Sequence, residues 1–336
     1  MCRVAIIVLN WNGINDTLSC LDSLLLQTYS DFQIVVVDNG STDKSKVLLN
    51  KYQKNHNDKV VAIFNPINFG FAGGVNTGIE WALNDNFEYI ALFNNDAEAD
   101  KDWLKQLVDS IKPTDIGIST GLLLHGDGKT IDSTGDWYTN WGLPFPRNRG
   151  EKTDQAAKEG LVFSASGGAS LYKSSLIRDI GLFDDDFFAY YEDTDISFRS
   201  QLAGYKIAYN PKAIAYHKQG ATSKKLPGFA VYQTFKNLPL LFIKNVPTRL
   251  LLPIGIKFYL AYWLMLFNAT SKGNGKPAIK GLWMSFILGF KKLRERIAIQ
   301  KNKRVKTSYI KSIIWNDLPP DQTGLRKLRK FFNGKN

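Results

Sequence analysis

The feature that most constrains the fold is an alternation of short apolar runs with amphipathic segments near the start of the chain. Residues 4–9, 32–37 and 60–64 are rich in β-branched and apolar side chains, and amphipathic stretches over 16–26 and 44–53 separate them. The runs predict strands and the stretches predict helices. Alternating strands and helices form a parallel, right-handed, doubly wound sheet whose loops collect at one edge. The sequence therefore predicts an α/β fold.

A further apolar run, at residues 89–93, stops abruptly at Asn94, Asn95 and Asp96. We expect this run to be a strand buried on both faces, with the polar side chains at its carboxyl end, where open parallel sheets bind ligands. One carboxylate beside two amide oxygens suits a Mg²⁺ or Mn²⁺ ion that bridges a diphosphate. The alternative is an ordinary strand-to-helix turn capped by Asn and Asp.

The second predicted strand ends at Asp38, within the sequence Asp-Asn-Gly-Ser-Thr-Asp. An acidic residue at this place commonly accepts hydrogen bonds from a ribose or nucleobase. The same residue types also form simple turns, so both roles stay open for Asp38.

A glycine-rich segment over residues 65–76 follows the third predicted strand and opens a helix that runs to about residue 84. Gly70, Gly73 and Gly74 allow the backbone to approach a ligand closely, and the helix start offers free N–H groups to a nucleotide. The chain has neither the Gly-Lys-Ser/Thr of a phosphate-binding P-loop nor the spacing of a dinucleotide fingerprint. These absences disfavour a kinase, an ATPase or a dehydrogenase.

The stretch 126–160 is polar, contains several Gly and Pro, and follows a predicted helix at 103–111 and strand at 116–124. Long irregular segments of this kind often form binding loops. Exposed Trp rings suit sugar faces, although core packing is the commoner use of Trp. Trp137 is therefore a candidate residue for contacting a sugar.

Acidic and aromatic residues alternate between residues 183 and 199. Neighbouring rings place carboxylates in partly apolar surroundings that raise their pKa, which suits a general base. The alternative is a helix N-terminus, whose dipole favours Glu192, Asp193 and Asp195. Farther on, His217 ends a predicted strand at 213–217 and is either structural or a ligand.

Taken together, these residues resemble the inverting family 2 glycosyltransferases of the GT-A fold, and within them the rhamnosyltransferase-like group. The resemblance covers roughly residues 3–225. Its motifs lie, in the family's order, at residues 10–13 (Asn-Trp-Asn-Gly), 37–43 (Val-Asp-Asn-Gly-Ser-Thr-Asp), 68–76 (Asn-x-Gly-Phe-Ala-Gly-Gly-x-Asn), 167–169 (Gly-Gly-Ala), 187–195 (Phe-Phe-x-Tyr-x-Glu-Asp-x-Asp), and at His217 with Gly220. The family's Asp-x-Asp is here Asn94-Asn95-Asp96, so its first carboxylate is missing.

The resemblance implies a role for each matching residue. It makes Asp193 the catalytic base and Glu192 a neighbour of the acceptor hydroxyl, and it leaves Asp96 and His217 as metal ligands. Nucleotide-sugar contacts are expected from Asn10, Asp38, Asn68, Gly70, Gly73, Gly74, Asn76, Asn95 and Gly168. The implied cofactor is Mg²⁺ or Mn²⁺.

Transfer of a sugar from a nucleotide sugar requires the same kinds of group, a metal ion and a carboxylate base. Displacing a nucleoside diphosphate from an anomeric carbon needs a cation for the leaving charge and one carboxylate to take the proton of the acceptor hydroxyl. With a single base and no second carboxylate as nucleophile, the expected outcome is inversion. The resemblance implies dTDP-L-rhamnose as the donor and a glycan or lipid-linked acceptor in cell-surface polysaccharide synthesis, and UDP-sugars stay open. The alternatives are a nucleotidyltransferase and a nucleic-acid binder. The excess of acidic residues over residues 1–223 disfavours the nucleic-acid binder.

Charge divides the chain into two regions. Residues 1–223 carry a net charge of −8, whereas residues 224–336 contain 23 Lys and Arg and only three acidic residues. We expect a GT-A catalytic domain over 1–223, with a nucleotide-sugar half at about 1–125 and an acceptor half at about 126–223, followed by a basic helical region over 224–336. Two cysteines and an N-terminus without a signal pattern predict a cytoplasmic setting.

The basic region contains two apolar stretches, at residues 250–267 and 281–290. The first falls at the short end of the length needed to cross a bilayer. Apolar helices flanked by Lys and Arg fit a protein lying on the inner face of the cell membrane. A single membrane span and a helical subdomain packed on the catalytic body are the alternatives.

Overall fold

The computed structural model describes residues 3–218 and 226–320. Within these ranges the chain forms two compact units, one from residues up to 136 and from 146 to 226, and the other from residues 137–145 and from 227 onwards. The proposed boundary at 223–224 and Gly220 both lie outside the described residues.

The strands are, in chain order, β1 Val4–Asn10, β2 Phe32–Asn39, β3 Val60–Asn65, β4 Tyr89–Asn94, β5 Ala97–Ala99, β6 Ile116–His125, β7 Ile131–Ser133, β8 Asp136–Tyr138, β9 Pro144–Pro146, β10 Gly160–Val162, β11 Ala169–Lys173 and β12 Lys206–His217. The helices are α1 Ile14–Leu25, α2 Ser45–Asn55, α3 Gly70–Asn84, α4 Trp103–Ile111, α5 Ser174–Ile180, α6 Glu192–Leu202, α7 Phe229–Asn245, α8 Thr248–Ala269, α9 Gly275–Lys301 and α10 Thr307–Ile313.

A ten-stranded sheet organises the first unit, with the order β10-β12-β6-β11-β4-β1-β2-β3 and with β5 and β7 paired at β12 and β6. Strands β3, β2, β1 and β4 are mutually parallel. Strand β12 is parallel to β6, whereas β11 runs antiparallel to both β4 and β6. The predicted mostly parallel α/β sheet is confirmed. The sequence pattern did not reveal the antiparallel direction of β11, nor that of the short strands β5, β7 and β10.

The alternating side chains of β1 explain why helices cover both faces of the sheet. Val4, Ile6 and Val8 are buried in one apolar cluster together with residues of α1 and α4. Ala5 and Ile7 point the opposite way, into a second cluster with residues of α3. A strand that is buried on both faces has a continuous apolar sequence, and this is why residues 4–9 could be predicted as a strand.

The stretch 126–160 is more ordered than a single loop. It contains β7, β8 and β9 and a short 3₁₀ turn at Thr153–Gln155. Each strand in it is only three residues long, which is too short for a period-two pattern to be visible in the sequence.

A buried ion pair holds α6 against the loop that follows α5. The Nε of Arg199 donates to Oδ2 of Asp195 at 2.9 Å, and both side chains are almost fully buried. The guanidinium also donates to the carbonyl oxygens of Ile180 and Leu182, at 2.7 and 2.8 Å. Asp195 is therefore held in a structural ion pair, two residues along α6 from Asp193.

The second unit contains α7, α8, α9 and α10. Helix α8 buries Ile254, Phe258 and Tyr262, spaced one turn apart, and Phe258 stacks on Phe242 of α7 at 4.8 Å between ring centroids. Residues 270–274 form the turn between α8 and α9, where Gly273 has a φ of +80°. Residues 248–301 include an 18-residue window with a mean hydropathy of 1.8, one third of it buried. By length and composition alone this stretch could cross a membrane, which is weak evidence for a span.

Exposed apolar residues form a continuous row along each of the two long helices, and we name these rows the apolar stripes. The stripe on α8 consists of Leu252, Ile256, Tyr259, Leu260, Trp263 and Phe267. The stripe on α9 consists of Ile279, Trp283, Phe286, Ile287, Phe290, Leu293 and Ile297. Both follow a spacing of three and four residues, which places each set on one face of its helix.

Replacing Asp195 by Asn should destabilise the first unit. The change leaves the Arg199 guanidinium buried without its counter-charge, which typically costs about 3–5 kcal/mol. The measurement is the free energy of unfolding in denaturant. The control is Asp109→Asn, which breaks an exposed pair with Lys112 and should cost less than about 1 kcal/mol. Equal losses in the two variants would show that the buried pair has no special structural role.

Candidate active site

The carboxyl ends of three neighbouring strands place polar side chains at one edge of the sheet. Asn10 pairs in register with Asp38, and Asn94 pairs with Leu9, the residue before Asn10. Parallel pairing brings together residues that are far apart in sequence, because strands of similar length end at the same edge. The predicted polar cluster at this edge thus has a geometric origin.

Asp38 is buried and held in a network of side-chain hydrogen bonds. The Nδ2 of Asn10 donates to Oδ1 of Asp38 at 2.7 Å and to the hydroxyl of Ser41 at 3.2 Å. The hydroxyl of Thr17 donates to Oδ1 of Asn10 at 2.8 Å, and the amide of Asn95 donates to the Thr17 hydroxyl at 2.9 Å. Asn10, Asp38 and Asn95 therefore belong to one preorganised cluster.

Asn68 and Asn76, two other candidates for nucleotide contacts, use their amides to hold the protein backbone. Oδ1 of Asn68 accepts from the backbone N–H of Gly70 at 2.7 Å, at the start of α3. Asn76 donates to the carbonyl of Phe183 at 2.8 Å and accepts from the N–H of the same residue at 3.1 Å. These contacts tie α3 to the segment that leads to α6.

Packing explains two of the glycines in this segment. Gly70 has a φ of +75°, and a Cβ there would collide with Phe188. A Cβ on Gly74 would lie 2.5 Å from a methyl carbon of Leu9, because α3 lies directly on the sheet at this point. Any close approach of a ligand would be an additional reason for these glycines.

His217 bridges two carboxylates at the end of β12. Its Nε2 lies 3.0 Å from Oδ1 of Asp96, and its Nδ1 lies 2.8 Å from Oδ2 of Asp132. Asp132 is almost fully buried, and Arg149 forms an ion pair with its other oxygen at 2.8 Å. The resulting chain of contacts orients the ring, with Nε2 directed toward Asp96 and toward the amide of Asn94 at 3.4 Å.

The charges around His217 change its titration. Burial lowers its pKa, but the hydrogen bonds to Asp132 and Asp96 outweigh that effect and raise the pKa to about 9. Burial raises the pKa of Asp132, while the hydrogen bond from His217 and the charge of Arg149 more than offset it, so the net shift is downward. At neutral pH and without a metal, His217 carries a proton and Asp132 is ionised.

The donor set at Asp96 and His217 fits a divalent metal ion. An octahedral ion with bonds of about 2.1 Å separates adjacent ligand atoms by about 3.0 Å, which matches the distance between the Asp96 oxygen and His217 Nε2. A carboxylate oxygen and an imidazole nitrogen both suit Mn²⁺. The carboxylate of Asp132 on the far ring nitrogen is the usual outer partner of a metal-bound histidine.

Asp193 lies at the start of α6, where backbone groups hold its carboxylate. Its Oδ2 accepts from the N–H of Gly167 at 3.0 Å, and its Oδ1 accepts from the N–H of Thr194 at 2.7 Å. Desolvation raises the pKa of Asp193 above its usual value, although these hydrogen bonds act in the opposite direction. A fixed, half-buried carboxylate with a raised pKa has the properties of a general base.

A second carboxyl group, that of Asp136, lies near Asp193. The hydroxyl of Ser133 donates to Oδ1 of Asp136 at 3.1 Å. Desolvation and then the negative charge of Asp193 raise the pKa of Asp136 to about 8. Burial and the charge of Asp193 thus both favour the neutral form of Asp136.

The backbone before Asp193 is strained. Phe188, Tyr190 and Tyr191 have φ values of 62°, 68° and 71°, in the left-handed region that bulky residues rarely adopt. Strain of this kind tends to persist where the surrounding structure enforces it, and it clusters at functional sites. Here the carbonyl of Phe188 accepts hydrogen bonds from the first N–H groups of α3, at Phe71 and Ala72.

Comparison with known proteins decides the family. The family model described as glycosyl transferase family 2 matches residues 5–181, which is more than half of the chain. The chain belongs to glycosyl transferase family 2. The predicted family is thereby confirmed, whereas the comparisons do not support the rhamnosyltransferase-like group within it.

Two relatives of this family 2 chain show the range of similarity. It is 27% identical over 204 residues to a poly-beta-1,6-N-acetyl-D-glucosamine synthase of Staphylococcus epidermidis, covering 60% of this chain and 46% of the relative. It is 24% identical over 240 residues to the low-salt glycan biosynthesis hexosyltransferase Agl10 of Haloferax volcanii, covering 70% and 73%. The chain thus spans about half the length of the first relative.

Solved structures show the same fold. The mannosyltransferase PcManGT from Pyrobaculum calidifontis, solved with GDP-Man and Mn²⁺, matches with a TM-score of 0.56 and 18% identity over 92% of this chain and 88% of its own. GalNAc-T7, solved with UDP, GalNAc and Mn²⁺, matches with a TM-score of 0.62 and 16% identity over 89% and 57%. The predicted GT-A fold is confirmed.

The remaining candidate residues are Gly168, Gly73, Glu192 and Trp137. Gly168 lies against the amide of Asn94, since a Cβ there would be 3.0 Å from its Nδ2. Gly73 would place a Cβ 2.8 Å from Cβ of Phe69, and Glu192 is buried at the start of α6. Trp137 belongs to the second unit, where its ring lies 5.9 Å from that of Trp315. The roles expected for all four stay predictions.

Sequence reasoning missed Asp132, Asp136 and Gly167. Both aspartates lie in the stretch 126–160, which the sequence predicted to be an irregular loop. Acidic residues are common in such loops, so their presence there does not indicate a function. Asp132 lies between Ile131 and Ser133 in a short buried strand. A charged residue in such a strand is the feature that could have indicated a functional role for it. Gly167 stood within the Gly-Gly-Ala motif, but its role as a hydrogen-bond donor to Asp193 depends on residues 26 positions away.

We expect the stability of the metal-free protein to fall as the pH rises from about 6.5 to 9. His217 has a folded-state pKa near 9, above its unfolded value of about 6.5, so its stabilising contribution is complete below pH 6.5 and is lost as the pH passes 9. The loss is of the order of 3 kcal/mol. The measurement is urea unfolding in EDTA across this range. In His217→Gln the slope over this range should be flatter, and an unchanged slope would contradict the assignment.

Proposed function

We propose that this family 2 glycosyltransferase transfers a sugar from a nucleoside diphosphate sugar to an acceptor hydroxyl with inversion at the anomeric carbon. The observation that carries the proposal is the pairing of two chemical centres in one unit, the Asp96–His217 pair and the carboxylate of Asp193. The donor would bind mainly to the part of the chain up to about residue 125, and the acceptor mainly to residues 126–223.

Asp193 is the proposed base. It would take the proton of the acceptor hydroxyl as that oxygen attacks the anomeric carbon, and the nucleoside diphosphate would leave from the opposite face. Its hydrogen bonds to Gly167 and Thr194 fix the carboxylate, and its raised pKa increases its affinity for the proton. Glu192 would lie beside the acceptor hydroxyl. Trp137, which belongs to the second unit, is proposed as a residue that stacks on a sugar ring.

Asp96 and His217 would hold a Mg²⁺ or Mn²⁺ ion, which when bound neutralises the charge of the diphosphate. Two structural neighbours were solved with Mn²⁺, which supports this cofactor. Asp132 would keep the His217 ring in the ligating orientation. Because the free protein holds a proton on His217, metal binding must release that proton.

Asp38 would accept hydrogen bonds from the nucleoside, with Asn10 and Asn95 fixing its position. We propose dTDP-L-rhamnose as the donor, and the motifs at residues 10–13, 68–76 and 187–195 are the support. The solved neighbours contain GDP-Man or UDP, so other nucleotide sugars are the direct rivals. A panel of nucleotide sugars, assayed for release of free nucleoside diphosphate, tests the choice. Turnover of UDP- or GDP-sugars alone would contradict it, and pyrophosphate release from a nucleoside triphosphate would favour a nucleotidyltransferase.

Asp193→Asn should abolish transfer and leave donor binding largely intact. The amide cannot accept the hydroxyl proton, whereas it retains the size of the carboxylate. Loss of a general base typically lowers kcat by about 10²–10⁴-fold. Transfer rate and donor affinity are measured separately on the same preparation. Transfer at the wild-type rate would show that Asp193 is not the base.

Asp96→Ala, unlike Asp193→Asn, should change donor binding. Removing this carboxylate should weaken donor binding in the presence of Mn²⁺ and have little effect in EDTA. The measurement is nucleotide affinity across a Mn²⁺ titration, with Asp193→Asn as the matched loss of one carboxylate. If donor affinity responds to Mn²⁺ equally in both variants, Asp96 does not hold the metal.

We further propose that the second unit attaches the protein to the inner face of the cell membrane, where a lipid-linked or glycan acceptor would be elongated into a surface polysaccharide. The curated relatives include a polysaccharide synthase and a glycan hexosyltransferase, which supports such an acceptor. The apolar stripes support the attachment, since large exposed apolar surfaces mark partner or membrane contacts. Basic side chains near an anionic surface add to it.

Replacing two stripe residues, Phe286 and Phe290, by Gln should reduce flotation of the full chain with liposomes. Both rings are more than half exposed, so the change should affect attachment more than folding. The control replaces Leu26 and Val47 of the first unit by Gln, since their exposed fractions, 73% and 71%, are similar to those of Phe286 and Phe290, 61% and 75%. If the two double variants float to the same extent as the wild type, the stripes do not contact the membrane.

A further inference from the structure

A cavity of about 500 Å³ lies in the second unit, between the start of α8 and the segment that joins α9 to α10. Three cationic residues, Arg249, Lys303 and Lys306, contribute to its wall. The other lining residues are Thr248, Gln300, Thr307 and Ser308, all of them polar and uncharged. The cavity is therefore positively charged and rich in hydrogen-bond donors.

Hydrogen bonds to the end of α7 position one side of this cavity. The buried guanidinium of Arg296 donates to the carbonyl of Val246 at 2.6 Å and to the hydroxyl of Thr248 at 3.0 Å. The amide of Gln300 donates to the carbonyl of Asn245 at 3.1 Å. These contacts join the start of α8 to the end of α9, so the wall does not depend on mobile surface side chains alone.

Among the residues that the structure describes, no carboxylate neutralises the positive charge of the cavity. Within residues 226–320, the described part of this region, none of the three cations forms an ion pair. Lys303 donates to the hydroxyl of Thr307 at 3.1 Å, which directs its ammonium group along the wall. The first N–H groups of α8, a helix of 22 residues, add partial positive charge at Thr248. A wall with three cations and several hydrogen-bond donors matches the oxygens of a phosphate group.

The apolar stripes begin next to the cavity. Leu252 lies one turn beyond Arg249 on α8, and Ile297 lies three residues before Gln300 on α9, and both side chains are exposed. A ligand with a phosphate in the cavity and an apolar chain along the stripes would satisfy both surfaces. A small soluble anion would use only the first.

We propose that this cavity binds the phosphate group of an anionic lipid, whose acyl chains lie along the apolar stripes. The proposal rests on the membrane attachment of the second unit and deepens it, because diffuse attraction to an anionic surface requires no defined site. The cavity would select for the lipid headgroup and fix the depth and orientation of α8 and α9 in the interface.

The test measures binding of dihexanoyl-phosphatidylglycerol, below its critical micelle concentration, to the full chain by titration calorimetry. We expect saturable binding at one site. The variant Arg249→Gln/Lys303→Gln/Lys306→Gln should weaken it at least about tenfold. The matched control, Lys272→Gln/Lys276→Gln/Lys280→Gln, removes the same charge from the opposite end of the α8–α9 pair and should bind as the wild type does.

Two results would overturn the proposal. Equal weakening in the two triple variants would mean that binding follows net charge rather than the cavity. Inorganic phosphate binding as tightly as the short-chain lipid would mean that the cavity takes a free anion and that the stripes contribute nothing.

A second measurement separates this proposal from the attachment on which it rests. Flotation with phosphatidylglycerol vesicles, compared with phosphatidylcholine vesicles, reports on attachment itself. If Phe286→Gln/Phe290→Gln floats as the wild type does while the cavity variant loses the soluble lipid, the headgroup site stands and the stripe contact fails. If the wild type floats but binds no soluble lipid, attachment stands and the headgroup site is refuted.

Discussion

The parallel pairing of β1 with β2 and β4 is the constraint on which the rest of the first unit depends. Each of these strands is apolar along its length and polar at its carboxyl end, so pairing in register collects Asn10, Asp38 and Asn94 at one edge. Helices on both faces bury the apolar lengths. The same burial that stabilises the sheet therefore assembles the polar site, and the site cannot move without the sheet.

Polar groups at that edge are satisfied largely by one another. Asn10 connects Asp38 to Thr17, and His217 connects Asp96 to Asp132. Buried polar groups without partners are costly, so these networks stabilise the fold while they fix the geometry. A site held in this way needs little reorganisation when a charged ligand binds, which is the condition for electrostatic catalysis. The strained backbone before Asp193 is held in a similar way, since the carbonyl of Phe188 accepts hydrogen bonds from the first N–H groups of α3.

The second unit differs from the first in that its two long helices have exposed apolar faces. Its helices bury one apolar face against each other and expose another, and the basic cavity lies where the exposed stripes begin. Exposed rings such as those of Trp283 and Phe290 do not stabilise a helical unit that is surrounded by water. In the proposed membrane attachment, an apolar phase would cover the stripes and the Lys and Arg residues of this region would face an anionic surface.

The sequence by itself determined the alternation of strands and helices, the position of the polar residues at strand ends, and the division of charge, because each of these depends on neighbouring residues and on side-chain periodicity. It did not determine the direction of β11, the structural use of Asn68 and Asn76, or the partnership of Asp132 with His217, which lie 85 residues apart. Only tertiary structure decided these, because a hydrogen bond between distant residues depends on the packing of every element between them, and local composition carries no record of that packing.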